Sequence, residues 1–244
     1  MSKYLSYAQN FEDVYLRRTY NILLSTIPSD HPDLYQFIVD IGAWEPVADS
    51  VSASFIEASW NALLIEPQPN YYEKLCNHYI YNNKVKVLNF AIGDFAGVTT
   101  LFVPAETTGW ASNKKLHAEQ MNEPIEEISV NICTLDEIHL QIKQNYFVLK
   151  IDEENSEYEI INGWRNPNIS PTCICLEGGS RVLFDLLKTK GYVQYFFDGI
   201  NTYFIKLEYY PKLMNFNPIN LLEDNSFVLH SASWIINNEF KLKS

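Results

Sequence analysis

Short apolar runs alternate with amphipathic stretches along this chain, and the alternation predicts strands and helices in turn. Phe37-Ile38-Val39 is brief, apolar and closed by Asp40, which suits a strand buried on both faces. The next stretch sets Val51, Phe55 and Ala58 on one helical face, with Asp49 or Ser50 as its cap. Ala62-Leu63-Leu64-Ile65 is a second buried strand and ends in Glu66. Asn70-x-x-Glu73 has the form of a capping box, and Leu75, Cys76 and Tyr79 make the buried face of a helix over 70–81. Residues 84–94 read as a third strand and its exit turn. Asp94-Phe95-Ala96-Gly97 reads as a plain turn opening a hairpin into VTTLFV. Residues 107–131 are polar and read as a loop.

The second half repeats the rhythm. Residues 146–151 and 172–176 are the fourth and fifth strands. Ser156-x-x-Glu159 is another capping box, with Gly163 as a C-terminal stop. Ser180 starts a helix with Val182, Leu183, Leu186 and Leu187 inward, ending at Lys188, Lys190 and Gly191. Residues 192–197 and 202–205 alternate and are joined by Asp198-Gly199-Ile200-Asn201, a hairpin signal. At the other end, 6–25 reads as a helix capped by Asn10, with Leu16, Tyr20, Leu23 and Leu24 on one stripe. Five β/α alternations followed by a hairpin predict a three-layer α/β/α sandwich. Its sheet is mostly parallel, with an antiparallel hairpin edge.

The 244 residues suit one domain, with 1–30 as a helical lid and 210–244 as an appendage that is Asn-rich and hard to read. A net charge of −12 and the lack of any Lys/Arg cluster argue against a nucleic-acid partner. The four cysteines form no C-x-x-C and are expected as reduced buried thiols, with Cys173 and Cys175 on opposite sides of a strand. There is no apolar amino-terminal h-region and no membrane-length apolar run, so a cytoplasmic protein with no membrane partner is expected. The five histidines show no ligand spacing and are expected at surfaces or turns.

The chemistry concentrates where strands end. Residues 37–67 form a βαβ unit with a carboxylate closing each strand, and the carboxyl edge of an open α/β sheet is where nucleotides bind. Gly42 lets the backbone approach a ligand. Glu66, about two dozen residues further on, can take both ribose hydroxyls. A dinucleotide loop would carry further glycines where this chain has Trp44, Glu45 and Pro46, and Glu45 would repel phosphate. A ligand with a ribose and no phosphate fits better, and S-adenosylmethionine (SAM) is the natural one. A nicotinamide-dependent oxidoreductase is disfavoured by the same missing glycines. Asp152, Glu154 and Glu177 lie beyond the fourth and fifth strands on the same edge, crowded enough to raise one another's pKa towards that of a general base. They read almost as readily as caps of the next helix; in a variant reading they hold Mg²⁺, although no metal is expected.

Several blocks carry a resemblance when taken in order: SYAQNFED at 6–13, VDIGAWEPVADSVS at 39–52, IEPQP at 65–69, AIGD at 91–94, TTGWAS at 107–112, KIDEEN at 150–155 and FFDGIN at 196–201. Together they resemble the FkbM-type family of SAM-dependent methyltransferases, over residues 6–212. The resemblance implies a class I methyltransferase fold, with SAM as cofactor. The acceptor it implies is a hydroxyl on a sugar, a glycan or a natural product. Asp40, Gly42, Ala43, Glu66, Pro67, Lys150 and Asp152 are then the expected cofactor side. By the resemblance alone, Asn89, Ala91 and Asp94 join them as adenine contacts, although Asp94 also reads as part of a plain turn. Gln9, Asn10, Glu12 and Asp13 would face the ligand from a lid, or else belong to a helix covering the sheet edge. Glu45, Thr108 and Trp110 complete the expected acceptor side; Trp110 and the Thr107 and Thr108 hydroxyls could hold a sugar, or Trp110 could merely anchor a connection. Glu154 is the favoured base, with Asp152, Lys150 and Glu177 in support. The family's pattern after the fourth strand is Asp, an apolar residue, then Glu-Gly. Here Glu153 replaces the apolar residue and Asn155 the glycine, and Asn tolerates left-handed backbone. The alternative is a catalytically degenerate module that still binds SAM or another nucleoside and acts as a partner protein.

Overall fold

The structure, a computed structural model, describes residues 4–106, 108–214 and 226–231. In chain order the elements are β1 (Tyr4–Ser6), α1 (Glu12–Leu24), β2 (Phe37–Ile41), α2 (Val51–Glu57), β3 (Asn61–Ile65), α3 (Pro69–His78), β4 (Val85–Leu88), β5 (Ala91–Gly93) and β6 (Gly97–Pro104). Then come α4 (Lys115–Ala118), β7 (Ile125–Thr134), α5 (Leu135–Ile142), β8 (Tyr146–Ile151), α6 (Glu157–Asn162), β9 (Pro171–Glu177), α7 (Arg181–Thr189), β10 (Tyr192–Phe197), β11 (Asn201–Lys206), α8 (Tyr210–Leu213) and β12 (Phe227–Leu229).

Seven strands make the main sheet in the order β10-β11-β9-β8-β2-β3-β4. Neighbours from β9 to β4 are parallel, and β11 runs antiparallel between β9 and β10. The central strand β8 is buried at all its positions, as a continuous apolar run with helices on both faces must be. Period-2 alternation divides the side chains between two cores. Leu16, Ile38, Phe55, Leu64 and Leu75 fill the layer under α1, α2 and α3; Val39, Leu63, Ile138, Ile161 and Leu187 fill the layer under α5, α6 and α7. This is the expected α/β/α sandwich, the class I methyltransferase fold. Among the described residues no helix is long and apolar enough to cross a membrane.

Several local expectations are corrected. The amino-terminal stretch is not one helix. Residues 4–6 pair with 227–229 as parallel strands, and α1 starts at Glu12. Asn10 does not cap it; the flanking Phe11 sits at φ 63° with no side-chain cap, and the Asn10 amide donates to Glu12 Oε2. Helix α3 begins with Pro69 after Gln68, so Asn70 and Glu73 lie inside it and form no capping box; Cys76 and Tyr79 are half-buried. Ser156 flanks α6 but its hydroxyl donates to Asn113 Oδ1 instead of capping. Gly163 ends α6 in right-handed backbone; what excludes a side chain there is the Gly93 carbonyl oxygen, 2.1 Å from where a Cβ would stand. Val182, Leu24 and Ala58 point outward. Cys173 and Cys175 both face the α1–α3 core, because residues two apart on a strand share a face.

The largest departure lies between β4 and α5. The expected third strand breaks after Leu88, and β5 leaves the main sheet for a small one of order β5-β7-β6. No β5–β6 hairpin forms; β6 pairs antiparallel with β7. The loop expected over 107–131 is therefore partly strand.

Candidate active site

Four strand ends converge on one cavity of about 440 Å³ at the carboxyl edge of the sheet, within the size range of small-molecule sites. Strand β2 delivers Asp40 and the turn Gly42-Ala43-Trp44. Strand β3 delivers Glu66, Pro67 and Gln68; β8 delivers Lys150, Asp152, Glu153 and Glu154; and Glu177 ends β9. Glu106, Thr108, Gly109, Trp110 and Ala111 also line the cavity, as does Gln9 from the amino-terminal segment.

The floor is a lysine among acids. Lys150 Nζ donates to the Gly42 carbonyl at 3.0 Å and lies 3.2 Å from Asp40 and 3.4 Å from Asp152. Burial works against its charge, but the two carboxylates outweigh it and raise its pKa. Asp40 is raised by burial, against the pull of Lys150. Glu66 accepts the Trp44 amide at 2.9 Å and the Gln68 amide at 2.8 Å, one on each oxygen. Burial still lifts its pKa to about 7.

On the opposite side Asp152, Glu154 and Glu177 each bring one oxygen within 4.8 Å of the other two. Glu154 is pushed up to about 8 by burial and then by the charges of Asp152 and Glu157. Glu177 is pushed to about 8 by burial and by Asp152. The turn carrying these acids holds two left-handed residues in succession, Glu154 at φ 47° and Asn155 at φ 76°. Asparagine thus keeps the turn that the family's glycine would make. Glu153, at the family's apolar position, is buried with its pKa held well above the carboxylate range by burial and by Glu66.

Among the described residues, four buried side-chain polar atoms lack a hydrogen bond: Asp40 Oδ1, Trp44 Nε1, Glu153 Oε1 and His139 Nδ1. The first three belong to walls of this one cavity, and of these Asp40 Oδ1 faces Lys150 Nζ at 3.2 Å. Trp44 Nε1 and Glu153 Oε1 have no partner; folded chains rarely leave such atoms unpaired, so the two mark a space built for a polar ligand.

Of the expected cofactor side, Asp40, Gly42, Ala43, Glu66, Pro67, Lys150 and Asp152 line the cavity, as do Glu154, Glu177, Thr108, Trp110 and Gln9. Thr107 lies outside the described residues. The others are elsewhere. Asn89 donates to the Glu66 and Pro67 carbonyls and so holds the loop from behind. Ala91 packs in the core of the small sheet, and Asp94 pairs with Asn162. Glu45 forms a surface ion pair with Lys74. Glu12 and Asp13 are buried structural acids. Glu12 accepts from the Asn10 amide and from Asn201, tying 6–13 to 196–201, while Asp13 accepts from Ser6 and Tyr7.

Sequence reasoning missed Trp44, Gln68 and Glu153 as wall residues, and it missed two buried histidines. His139 bonds the Tyr146 hydroxyl at 2.9 Å in the core. His117 Nε2 lies 2.9 Å from Glu154 Oε2. Residue spacing could not reveal that pair, because the two lie 37 positions apart with two strands and a helix between them.

The model of the methyltransferase FkbM domain matches residues 40–210, which hold six of the seven strands of the main sheet and the end of β2. The chain belongs to the FkbM methyltransferase family. Among solved structures it is similar to the methyltransferase FkbM from Methylobacillus flagellatus KT, at 14% identity and TM-score 0.41, over 81% of this chain and 56% of that one. It thus spans little more than half of that protein's length. It is also similar to the precorrin-6y C5,15-methyltransferase from Geobacter metallireducens GS-15, at 12% identity and TM-score 0.34, over 78% of this chain and 85% of that one. No curated protein matches. Within this FkbM methyltransferase domain, the matched region contains each strand end that builds the cavity.

Proposed function

We propose that this methyltransferase uses SAM and methylates a hydroxyl oxygen of a sugar, glycan or other polyol-bearing natural product. The observation that carries the reading is the pair of unpartnered buried polar atoms, Trp44 Nε1 and Glu153 Oε1, in one acid-lined cavity at the strand ends. SAM, when bound, supplies a methyl already activated on a sulfonium. Its two positive centres and its ribose suit walls rich in carboxylates; a pyrophosphate does not. Glu66 would hold the ribose, and the turn of Asp40, Gly42 and Ala43 the methionine end.

The chain's remaining tasks are to orient the acceptor, exclude water and take its proton. Glu154 lines the cavity with Asp152 and Glu177, so it is placed to accept that proton. A carboxyl poised near neutrality suits the role. The net charge of −12 and the acidic walls support a neutral or cationic acceptor, with no nucleic acid as partner.

Calorimetric titration with SAM, S-adenosylhomocysteine and NAD tests the cofactor. Binding of the first two and not the third is expected; NAD binding alone would overturn the reading. Methyl-labelled SAM with a panel of neutral and amino sugars, glycans and nucleotide sugars, read by mass spectrometry, tests the acceptor. Binding without turnover on any acceptor would favour the partner-module reading.

A further inference from the structure

His117 lies behind the cavity wall, and both its ring nitrogens are committed. Nε2 meets Glu154 Oε2 at 2.9 Å, and Nδ1 meets the side-chain amide of Asn155. In the ionised form that serves as a base, Glu154 only accepts, so there Nε2 carries the proton and donates it. The neutral ring then has an acceptor at Nδ1, which requires the nitrogen end of the Asn155 amide. Three elements hold this arrangement. The Trp110 ring stacks on the imidazole, with centroids 5.4 Å apart and planes 8° from parallel. Ser112 Oγ donates to the Glu154 carbonyl at 2.8 Å, and Lys114 Nζ donates to the Asn155 carbonyl. The left-handed backbone at 154 and 155 keeps the Glu154 side chain and the Asn155 amide on the same imidazole.

Asn155 explains itself in this setting. A glycine there would make the same turn but leave Nδ1 without a donor and the tautomer unfixed. Asparagine supplies both the backbone and the amide. The other charged groups around Glu154 are Lys150, Asp152, Glu157 and Glu177, with Lys114 next to the imidazole. None of them fixes the direction of Oε2.

We propose that His117 is a positioning residue: through Nε2–H it aims the Glu154 carboxylate into the acceptor side of the cavity, and Asn155 fixes the tautomer that makes this possible. The inference rests on the reading of Glu154 as the base.

The test is NMR on the full chain with ¹⁵N-histidine and ¹³C-carboxyl glutamate, with and without S-adenosylhomocysteine. Above pH 8, where Glu154 is ionised, His117 of the wild type is expected as the Nε2–H tautomer. Asn155→Gly, which keeps the backbone, is expected to give a mixture of tautomers. His117→Phe keeps the stack on Trp110 and loses the donor, so the Glu154 carboxyl should titrate about one unit higher. His117→Gln, whose amide nitrogen reaches the place of Nε2, should bring it back. Single-turnover methylation on any acceptor found in the sugar panel should fall about tenfold in His117→Phe, at unchanged substrate affinity, and recover in His117→Gln. A Nδ1–H tautomer in the wild type, or a Glu154 titration that His117→Phe leaves unmoved, would overturn the proposal. S-adenosylhomocysteine titration of the same samples separates the two readings. Absence of binding to the wild type sinks the cofactor assignment, while normal binding with an unmoved Glu154 sinks only the role of His117.

Discussion

Gly42 lies so close to Asp152 that a Cβ on the glycine would stand 1.9 Å from the Asp152 carbonyl oxygen. The two turns are also stitched together by the Asp152 amide on the Ile41 carbonyl at 3.1 Å. The glycine is therefore required by the neighbouring strand end, before any ligand enters.

Gly42→Ala accordingly damages the fold as well as the site. The residue sits at φ 74°, which disfavours any L side chain, and the atom it would strike is backbone that cannot swing away. We expect a loss on the order of 3 kcal/mol in urea unfolding, together with lost S-adenosylhomocysteine binding. An unchanged unfolding midpoint would show that the two turns part easily.

Glu66→Ala removes the acceptor of the Trp44 and Gln68 amides and the group expected to hold the ribose. Hydrogen bonds to a charged group contribute about 1.5–3 kcal/mol each, which is roughly ten- to a hundredfold in affinity per bond. S-adenosylhomocysteine affinity should fall at least tenfold, and stability should fall as well because two amides are orphaned. Calorimetry showing wild-type affinity would remove Glu66 from the ribose.

The main sheet was legible because its strands are short apolar runs closed by charged residues, and β8 could be read to the residue. The small sheet was not. In β7 Glu126, Glu127, Ser129 and Asn131 are exposed and only Ile128, Val130 and Ile132 alternate inward, so the stretch reads as loop. Thr134-x-x-Glu137, a true capping box, was the signal that a helix follows. At the site, strand-end acids are visible in a sequence because position along a strand fixes where they project. Contacts such as Glu12 with Asn201, or His117 with Glu154, join distant segments and become visible only when the chain is folded.

The acids of the cavity set a pH dependence. Glu66 is raised to about 7, and Glu154 and Glu177 to about 8, by burial first. A carboxyl whose folded pKa exceeds its unfolded value holds more protons folded than unfolded. Its stabilising contribution is complete below the unfolded pKa, near 4.5, and is lost as pH rises through the folded value. The ligand-free protein should therefore melt several degrees lower at pH 8 than at pH 5.5. S-adenosylmethionine, which is cationic, should narrow the gap. A melting temperature that rises over this range would mean these acids are ionised without penalty.

Lys150→Met leaves Asp40, 1% exposed, without its counter-charge. Breaking a buried pair from one side costs about 3–5 kcal/mol. The double variant Lys150→Met, Asp40→Asn should regain part of that stability, because a neutral amide needs no cation there. Equal losses in the single and double variants, compared by chemical denaturation, would show that Lys150 acts through Gly42 and Asp152 alone.

Glu154 is the residue on which the proposed chemistry turns. Glu154→Gln keeps the shape and can still meet the His117 ring, but it cannot take a proton. A positioned base contributes about 10²–10⁴-fold, so single-turnover methylation at saturating SAM should fall by that range with S-adenosylhomocysteine affinity unchanged. Asp152→Asn and Glu177→Gln should each cost less, because Asp152 only lifts the Glu154 pKa and Glu177 only helps to orient the acceptor. The three acids would behave otherwise if they acted together on a divalent cation. All three variants would then lose activity equally, and a chelator would abolish transfer by the wild type. We expect chelation to leave the rate unchanged and the losses to be unequal, with Glu154→Gln the most severe. If all three variants transfer methyl at the wild-type rate, the base lies on another element, and Gln9, which lines the cavity, marks residues 6–13 as the next place to look.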